Sequence, residues 1–154
     1  MVVGKRPVED VDVTPGFWNG RRALLTGHTG FKGSWLSLWL QRRNADVTGI
    51  ALAPQSEPNL FDAADVSRDM RSRCIDIRDA SALERAVVEC DPQVVLHLAA
   101  QPLVRRSYDD PVQTFETNVL GTVYLLEALR RAPSLEAVVV ADRRREPALG
   151  PKGR

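Results

Sequence analysis

Three glycines at regular spacing are the residues of this sequence best placed to do chemistry. Gly27, Gly30 and Gly33 follow a short apolar run and precede a helix-like pattern. The first permits a tight exit from a strand, the second lets the backbone approach a pyrophosphate, and the third lets the helix pack close to the sheet. The helix N-terminus adds N–H groups and a partial positive charge. The segment therefore predicts a dinucleotide site.

A nucleoside-triphosphate loop is the nearest alternative interpretation of the same segment. That loop needs a glycine, a lysine and then Ser or Thr, whereas this chain reads Lys32-Gly33-Ser34. The swapped order would not present the lysine to a β- or γ-phosphate. An ordinary strand–helix turn with chance glycines is the other alternative, and the strand–turn–helix context disfavours it.

Three side chains of the glycine turn are further candidates for contact with a dinucleotide. His28 and Lys32 can reach a ribose or the phosphates, and Phe31 lies beside them in the sequence. For His28, a solvated turn residue without a ligand is the alternative. In many dinucleotide sites an acid at the end of the second strand holds a ribose 2′-OH. This chain has no acid there, since Asp46 lies at the start of that strand. No Arg or Lys occurs over residues 44–67 to meet a 2′-phosphate, which favours NAD over NADP.

Two later segments predict the rest of the site. Asp76 follows the third predicted strand and can accept a hydrogen bond from an adenine amino group, while Ile77 covers the ring. A helix-capping role for Asp76 is the alternative. The fourth strand ends in a run of small or apolar residues that lets a cofactor lie flat across the strand ends, namely Leu98, Ala99 and Ala100. We expect Asn118 to organise a bend near the site. No metal-binding motif is present.

The elements that must position these residues alternate between strands and helices. Apolar runs predict strands over 23–26, 47–52, 73–75, 94–98 and 137–140, and periodic segments predict helices over 34–43, 59–69, 82–90 and 111–131. Each connection is long enough for a crossover. The order predicts an α/β fold, a Rossmann-like doubly wound parallel sheet of about five strands in the order 3-2-1-4-5.

Three local predictions concern the helices. Ser81 and Glu84 have the spacing of a capping box and predict the start of the third helix. The first helix is expected to bury a broad apolar face that comprises Trp35, Leu36, Leu38, Trp39 and Leu40. The last helix is expected to bury a face that includes Val119, Val123, Leu126 and Leu129.

The charge distribution divides the chain of 154 residues. Its net charge is +1, but residues 141–154 hold five of the 21 basic and two of the 20 acidic residues, which leaves a net charge of −2 for residues 1–140. We predict a leader over 1–16, a cofactor-binding domain over 17–140 and an irregular basic tail over 141–154. This balance disfavours a nucleic-acid partner. With no signal peptide or membrane span in the sequence, a cytoplasmic location is expected.

Five segments resemble CDP-glucose 4,6-dehydratases, which are extended short-chain dehydrogenases/reductases. The resemblance covers about residues 17–140, and the segments that carry it are Gly27–Leu40, Glu57–Phe61, Asp76–Asp79, His97–Tyr108 and Thr117–Ala128. It implies a lyase that holds NAD, takes a hydride from sugar C4, eliminates water across C5–C6 and returns the hydride to C6. CDP-glucose would then be the substrate.

The chemistry that the resemblance implies needs a Tyr-x-x-x-Lys pair. The only lysines are Lys5, Lys32 and Lys152, and none has a tyrosine four residues before it. We therefore expect no catalytic residues here and an inactive, truncated NAD-binding fragment that meets CDP-glucose only if a missing half is supplied. A non-catalytic binding module or subunit, or a fragment of another nucleotide-sugar epimerase or dehydratase, is the alternative. The fifth strand would be an uncovered edge prone to association or homo-oligomer formation.

Overall fold

The structure is a computed structural model that describes residues 16–141. The predicted leader and basic tail lie outside the described residues except for Gly16 and Ala141, so the division of the chain into three segments stays a prediction. Within residues 16–141, no helix combines the length and apolar character that crossing a membrane requires.

Five parallel strands form one sheet. They are β1 (Arg22–Thr26), β2 (Asp46–Ala51), β3 (Arg71–Cys74), β4 (Val94–His97) and β5 (Ala137–Val140). Their spatial order is β3-β2-β1-β4-β5, which confirms the predicted fold class and strand order. The order reverses between β1 and β4, and in open parallel sheets the ligand crevice lies at that point, outside the carboxyl ends of the strands.

Helices connect the strands and cover both faces of the sheet. They are α1 (Phe31–Arg42), α2 (Leu60–Ala63), α3 (Ala80–Cys90), α4 (Val104–Asp109), α5 (Pro111–Phe115) and α6 (Gly121–Leu129), with a π-helical turn at Glu116–Leu120. On one face, α3 and α6 bury Leu83, Val87 and Leu125 against Leu24 and Val95 of the sheet. On the other face, α1 buries Leu40 against Ala23 and Val47. Full burial of each such leucine contributes about 1.5–3 kcal/mol.

The predicted apolar face of α1 is wrong apart from Leu40, which is fully buried, and Leu36, which is half-buried and packs against the same cluster. The residues that the helix buries are Gly33, Ser34, Ser37 and Leu40, whereas Trp35 and Trp39 are 56% and 39% exposed. Small residues face the sheet because the helix lies close to it. The two hydroxyls remain satisfied, since Ser34 Oγ donates to the His28 carbonyl at 3.0 Å and Ser37 Oγ donates to the Gly33 carbonyl at 2.8 Å.

The predicted apolar face of the last helix is also wrong apart from Leu129. Val119, Val123 and Leu126 are exposed, and α6 instead buries Gly121, Leu125, Ala128 and Leu129. The helix predicted over 111–131 is divided into α5, the π-helical turn and α6. A π-turn holds more residues than an α-turn, so it rotates the buried face of the residues that follow. The separate helix α4 was not predicted.

Two helix boundaries also differ from prediction. Asp79, not Ser81, caps α3, since its Oδ1 accepts a hydrogen bond from the Ala82 backbone N–H at 2.9 Å. The predicted helix over 59–69 is limited to the four residues of α2, whose N-cap is Asn59. In both places an Asx side chain satisfies the backbone N–H groups of the first turn.

Carboxylates join the loops at the edge of the sheet where the strands begin. Asp91 accepts hydrogen bonds from Ser134 Oγ at 2.6 Å and from Arg22 Nη2 at 3.1 Å. Glu136 accepts from Arg21 Nη1 at 2.5 Å and from Gln93 Nε2 at 3.1 Å. These bonds connect the segments that enter β1, β4 and β5, and we call this edge the amino edge.

Three backbone segments meet where β1 ends. Gly27 has φ +77°, and a Cβ there would lie 2.8 Å from the Ala99 backbone nitrogen. A Cβ on Gly33 would lie 2.0 Å from the Gly27 carbonyl oxygen. Both positions therefore require glycine, the first for its backbone conformation and its proximity to β4, the second for its proximity to the turn.

Both histidines of the chain are buried. Each imidazole is neutral, so its two ring nitrogens serve as one donor and one acceptor. His97 Nδ1 is 2.6 Å from Thr26 Oγ1, and its Nε2 is 3.0 Å from Thr122 Oγ1, which connects β1, β4 and α6. His28 Nε2 is 2.7 Å from Ser72 Oγ. Burial lowers the pKa of both imidazoles below the ordinary value of 6.5.

Alanine at Gly27 should cost much more stability than alanine at Gly20, a turn residue with nearly the same φ of +70° but open space around its Cβ. Left-handed backbone alone costs about 1–2 kcal/mol in Gly20→Ala. Contact with the β4 backbone should add about 1–3 kcal/mol in Gly27→Ala. Urea denaturation of both variants measures the difference, and equal losses would contradict the close approach.

Stability should fall as the pH drops below the ordinary histidine pKa. Because the folded imidazoles have lowered pKa values, the unfolded chain takes up protons first, so the contribution of the histidines to the free energy of unfolding is complete above about pH 7 and decreases as the pH falls below about 6.5. Urea midpoints between pH 7.5 and 5.5 measure this. The double variant His28→Gln/His97→Gln should start lower but lose less over the same interval, and parallel curves would refute the assignment.

Candidate functional site

A cavity of about 460 Å³ opens at the edge of the sheet where the strands end. Its size lies in the range of small-molecule and cofactor sites, about 300–1,000 Å³. Four chain segments and three helical side chains line it, namely the glycine turn, residues 51–60, residues 75–78, residues 98–102, Arg106, Gln113 and Thr117. We call this edge the carboxyl edge. Among residues 16–141, no group of three or more metal-binding side chains occurs.

Eight of the twelve predicted site residues lie in the wall of this cavity. They are Gly27, Gly30, Phe31, Asp76, Ile77, Leu98, Ala99 and Ala100. They come from three separate segments of the chain that only the parallel sheet brings together. The other four predicted residues, His28, Lys32, Gly33 and Asn118, lie outside the wall.

The N-terminus of α1 faces the cavity without a capping side chain. Gly30 precedes the helix in an extended conformation, and the first turn of α1 contains no acidic residue. The N–H groups of the first turn of a helix have no intrahelical partner. Such a terminus is electrostatically suited to an anion, because the N–H dipoles and the helix dipole both direct positive charge to it.

His28 does not fit either of its two predicted roles. Its side chain is 1% exposed, lies over Gly49 of β2 and Ser72 of β3, and packs edge-on to Phe61 with ring centroids 5.4 Å apart. It is therefore neither solvated nor directed at a ribose in the cavity. Its Nδ1 has no hydrogen-bond partner in the part of the chain that the structure describes. Its role in this structure is to pack the glycine turn onto β3 and α2.

The remaining three residues occupy positions around the cavity. Lys32 is exposed on α1, and Gly33 lies beneath the turn, where it permits the close packing of helix and sheet that its spacing predicted. Asn118 contacts the bend after β4, because its Oδ1 accepts from the Gln101 N–H at 2.7 Å and its Nδ2 donates to the Gln101 carbonyl at 3.1 Å.

The Asp76 carboxylate is ionised and held in place. Arg78 Nη2 donates to Asp76 Oδ2 at 2.6 Å, and the Arg78 backbone N–H donates to Oδ1 at 2.9 Å. These hydrogen bonds from Arg78 hold the pKa of Asp76 below its ordinary value. Asp76 does not cap α3, since Asp79 does so, and the helix-capping alternative for Asp76 is therefore wrong.

Sequence reasoning missed the loop that follows β2 as part of the site. Residues 52–56 line the cavity, and Thr29 Oγ1 holds this loop by donating to the Leu52 carbonyl at 2.8 Å. The signal that could have found it was its position directly after a strand that ends at the carboxyl edge. Asp46, rejected as a ribose ligand, indeed lies at the opposite edge, where it accepts from Arg71 Nη2 at 2.8 Å.

Comparisons with known proteins find relatives that share this sheet and turn. The family model described as GDP-mannose 4,6 dehydratase matches residues 24–141. CDP-glucose 4,6-dehydratase of Salmonella typhimurium is 50% identical over 123 residues, which cover 80% of this chain and 34% of that protein. UDP-glucose 4-epimerase of Mycolicibacterium smegmatis is 39% identical over 111 residues, which cover 72% of this chain and 35% of that protein. The chain thus spans about a third of the length of these relatives.

Solved structures of epimerases share the fold. The UDP-glucose 4-epimerase of Thermus thermophilus, crystallised as a complex with NAD, superimposes with a TM-score of 0.67 at 35% identity, over 76% of this chain and 36% of that one. The UDP-glucose 4-epimerase of Stenotrophomonas maltophila, solved with bound NAD, gives a TM-score of 0.67 at 26% identity, over 78% and 36% of the two chains. The chain belongs to the GDP-mannose 4,6 dehydratase family, among the extended short-chain dehydrogenases/reductases.

Proposed function

We propose that this chain binds NAD across its carboxyl edge and forms the cofactor-binding part of a CDP-glucose 4,6-dehydratase. The observation that carries the proposal is the open cavity between the uncapped N-terminus of α1 and the fixed carboxylate of Asp76. One end of this cavity is suited to a diphosphate and the other to the amino group of adenine. A dinucleotide carries both groups.

In this proposal the pyrophosphate of NAD binds at the glycine turn. Gly30 lines the cavity, and no Cβ stands between its backbone and a ligand. The N–H groups that begin α1 supply the donors, and Phe31 supplies apolar cover at the mouth of the turn. Gly33 lies beneath the turn, where it permits close packing of α1 and does not contact the ligand.

The two ends of the dinucleotide are assigned by the chemistry of the flanking segments. Asp76 is an acceptor for the adenine amino group, and the buried Ile77 contributes apolar surface beside it. Leu98, Ala99 and Ala100 follow β4 and leave room for the nicotinamide half. The bend that Asn118 fixes at Gln101 shapes this second end.

NAD is favoured over NADP by the composition of β2 and the loop after it. Residues 44–67 contain no Arg or Lys, and this stretch includes the loop that lines the cavity after β2. A 2′-phosphate beside this loop would find no basic partner within it. The Thermus thermophilus epimerase of similar fold holds NAD.

CDP-glucose is the proposed substrate because the 50% identical relative is a CDP-glucose 4,6-dehydratase. Bound NAD would supply a reversible hydride acceptor to that reaction. A base must also remove the proton of the sugar C4 hydroxyl, and the Tyr-x-x-x-Lys pair of the family does not occur in these 154 residues. We therefore propose that turnover needs residues from outside this sequence. Two alternatives are a non-catalytic NAD module and part of an epimerase, the latter because the Mycolicibacterium smegmatis relative is one.

The chain should bind NAD, and Gly30→Ala should weaken that binding while leaving the fold intact. A Cβ at Gly30 would lie 3.4 Å from the Gly27 carbonyl oxygen, so it fits the unliganded protein, and the loss of the N-cap glycine costs under about 1 kcal/mol. The same Cβ would occupy the approach of the pyrophosphate, for which we expect at least about a tenfold loss of affinity. Calorimetric titration and a urea melt of both proteins measure these quantities. Failure of the parent chain to bind NAD at millimolar concentration would contradict the proposal.

The chain should produce no keto sugar from CDP-glucose and NAD, since the base that the chemistry needs is missing. Product formation is followed by the ultraviolet absorbance of the enone in alkali and by nucleotide-sugar chromatography, with UDP-glucose as a parallel substrate. A 4-keto-6-deoxy product from CDP-glucose would show that these residues suffice. Epimerisation of UDP-glucose would support the epimerase alternative instead.

A further inference from the structure

Arg78 is the charged residue at the adenine end of the cavity to which the proposed function gives no role. Its Nε lies 3.1 Å from Asp76 Oδ1 and 3.0 Å from Oδ2, in addition to the bonds from its Nη2 and its backbone N–H. Both oxygens of the carboxylate therefore accept from the same residue. A planar guanidinium that engages both oxygens fixes the plane of the carboxylate as well as its position.

Arg78 also ties this carboxylate to the helical layer. Its Nη1 lies 3.4 Å from Glu116 Oε2, at the start of the π-helical turn. Ile77, between Asp76 and Arg78, is 4% exposed and packs so closely on α6 that a Cβ at Gly121 would lie 2.6 Å from its Cδ1. The segment 76–78 is thus held by an apolar contact and by an ion pair.

We propose that Arg78 is a positioning residue that gives the site its selectivity for a purine with a 6-amino group over one with a 6-oxo group. The proposal rests on the proposed function, since it needs the adenine end of NAD at Asp76. A fixed, ionised carboxylate accepts a hydrogen bond from an amino group and repels a carbonyl oxygen. A carboxylate that is free to rotate, or that lets water take its place beside the purine, discriminates less between an amino group and a carbonyl oxygen.

Nicotinamide hypoxanthine dinucleotide is the probe for this selectivity, because it replaces the 6-amino group of NAD with an oxygen and places a hydrogen on N1, and leaves the phosphates and the nicotinamide unchanged. The dissociation constants of both dinucleotides are measured by calorimetry for each variant. We expect the parent chain to prefer NAD by about tenfold, the scale of one charge-assisted hydrogen bond at a half-exposed site. Arg78→Met should reduce the preference to less than about threefold, mainly by lowering the affinity for NAD.

Two further variants at the site separate orientation from charge. Arg78→Lys keeps the positive charge but not the planar fork, so it should retain affinity for both dinucleotides better than Arg78→Met and still lose the preference. Asp76→Asn places an amide where the carboxylate was, and an amide can donate to the 6-oxo group. It should move the preference toward the hypoxanthine dinucleotide.

Arg73→Met is the matched control for removal of an ion pair. Arg73 forms a two-pronged ion pair with Glu89 of α3 and does not line the cavity. This variant should leave the preference for NAD unchanged. A urea melt of each variant shows whether a change in affinity accompanies a loss of fold, and the ratio of the two dissociation constants is insensitive to a uniform loss of folded protein.

The outcomes separate the inference from the proposed function. If Arg78→Met weakens both dinucleotides equally, Arg78 contributes charge to the site but does not set selectivity, and the inference is overturned. If Asp76→Asn leaves the ratio unchanged, adenine does not lie at Asp76, and the inference is overturned while NAD binding stands. If no variant and no parent chain binds NAD, the proposed function itself is wrong.

Discussion

The contact on which the rest of the structure depends is the meeting of bare backbone at the end of β1. The Gly27 carbonyl fills the space where a Cβ of Gly33 would be, and Leu98 and Ala99 fill the space beside Gly27. No side chain separates the three segments, so α1 lies against the sheet and its N-terminus points along the crevice between β1 and β4. This close approach of α1 to the sheet explains why the helix buries small residues, among them Ser34 and Ser37, and where the cavity lies.

The sheet could be predicted from the sequence because buried parallel strands are short apolar runs with few alternatives. The five runs and the connections between them predict a parallel strand order that the structure confirms. The helix faces could not be predicted in the same way. Hydrophobicity favours burial of Trp35 and Trp39, yet the first two turns of α1 lie so close to the sheet that they bury only Gly33, Ser34 and Ser37. A hydroxyl that donates within its own helix, as that of Ser37 does, loses little on burial.

Part of the candidate site could likewise be predicted from the sequence, and part could not. Residues directly after strands were placed correctly, because the carboxyl ends of parallel strands converge whatever the side chains do. His28 was misplaced because its direction depends on the space over Gly49 of β2, next to Ser72 of β3, that only the packed structure shows. The π-helical turn has no signature in a single sequence, and it moved the buried face from Val123 to Leu125. The contact between Arg78 and Glu116 on the π-helical turn was missed because the two residues are distant in sequence.

The amino edge has a consequence for how the molecule can change over evolution. Asp91, Glu136 and their partners join the segments that enter β1, β4 and β5, at the opposite end of the strands from the cavity. The contacts of the amino edge are therefore physically remote from the groups that line the cavity. Mutations at one edge can accumulate with little effect on the other, so a scaffold of this kind can gain or lose ligand specificity without first losing its capacity to fold.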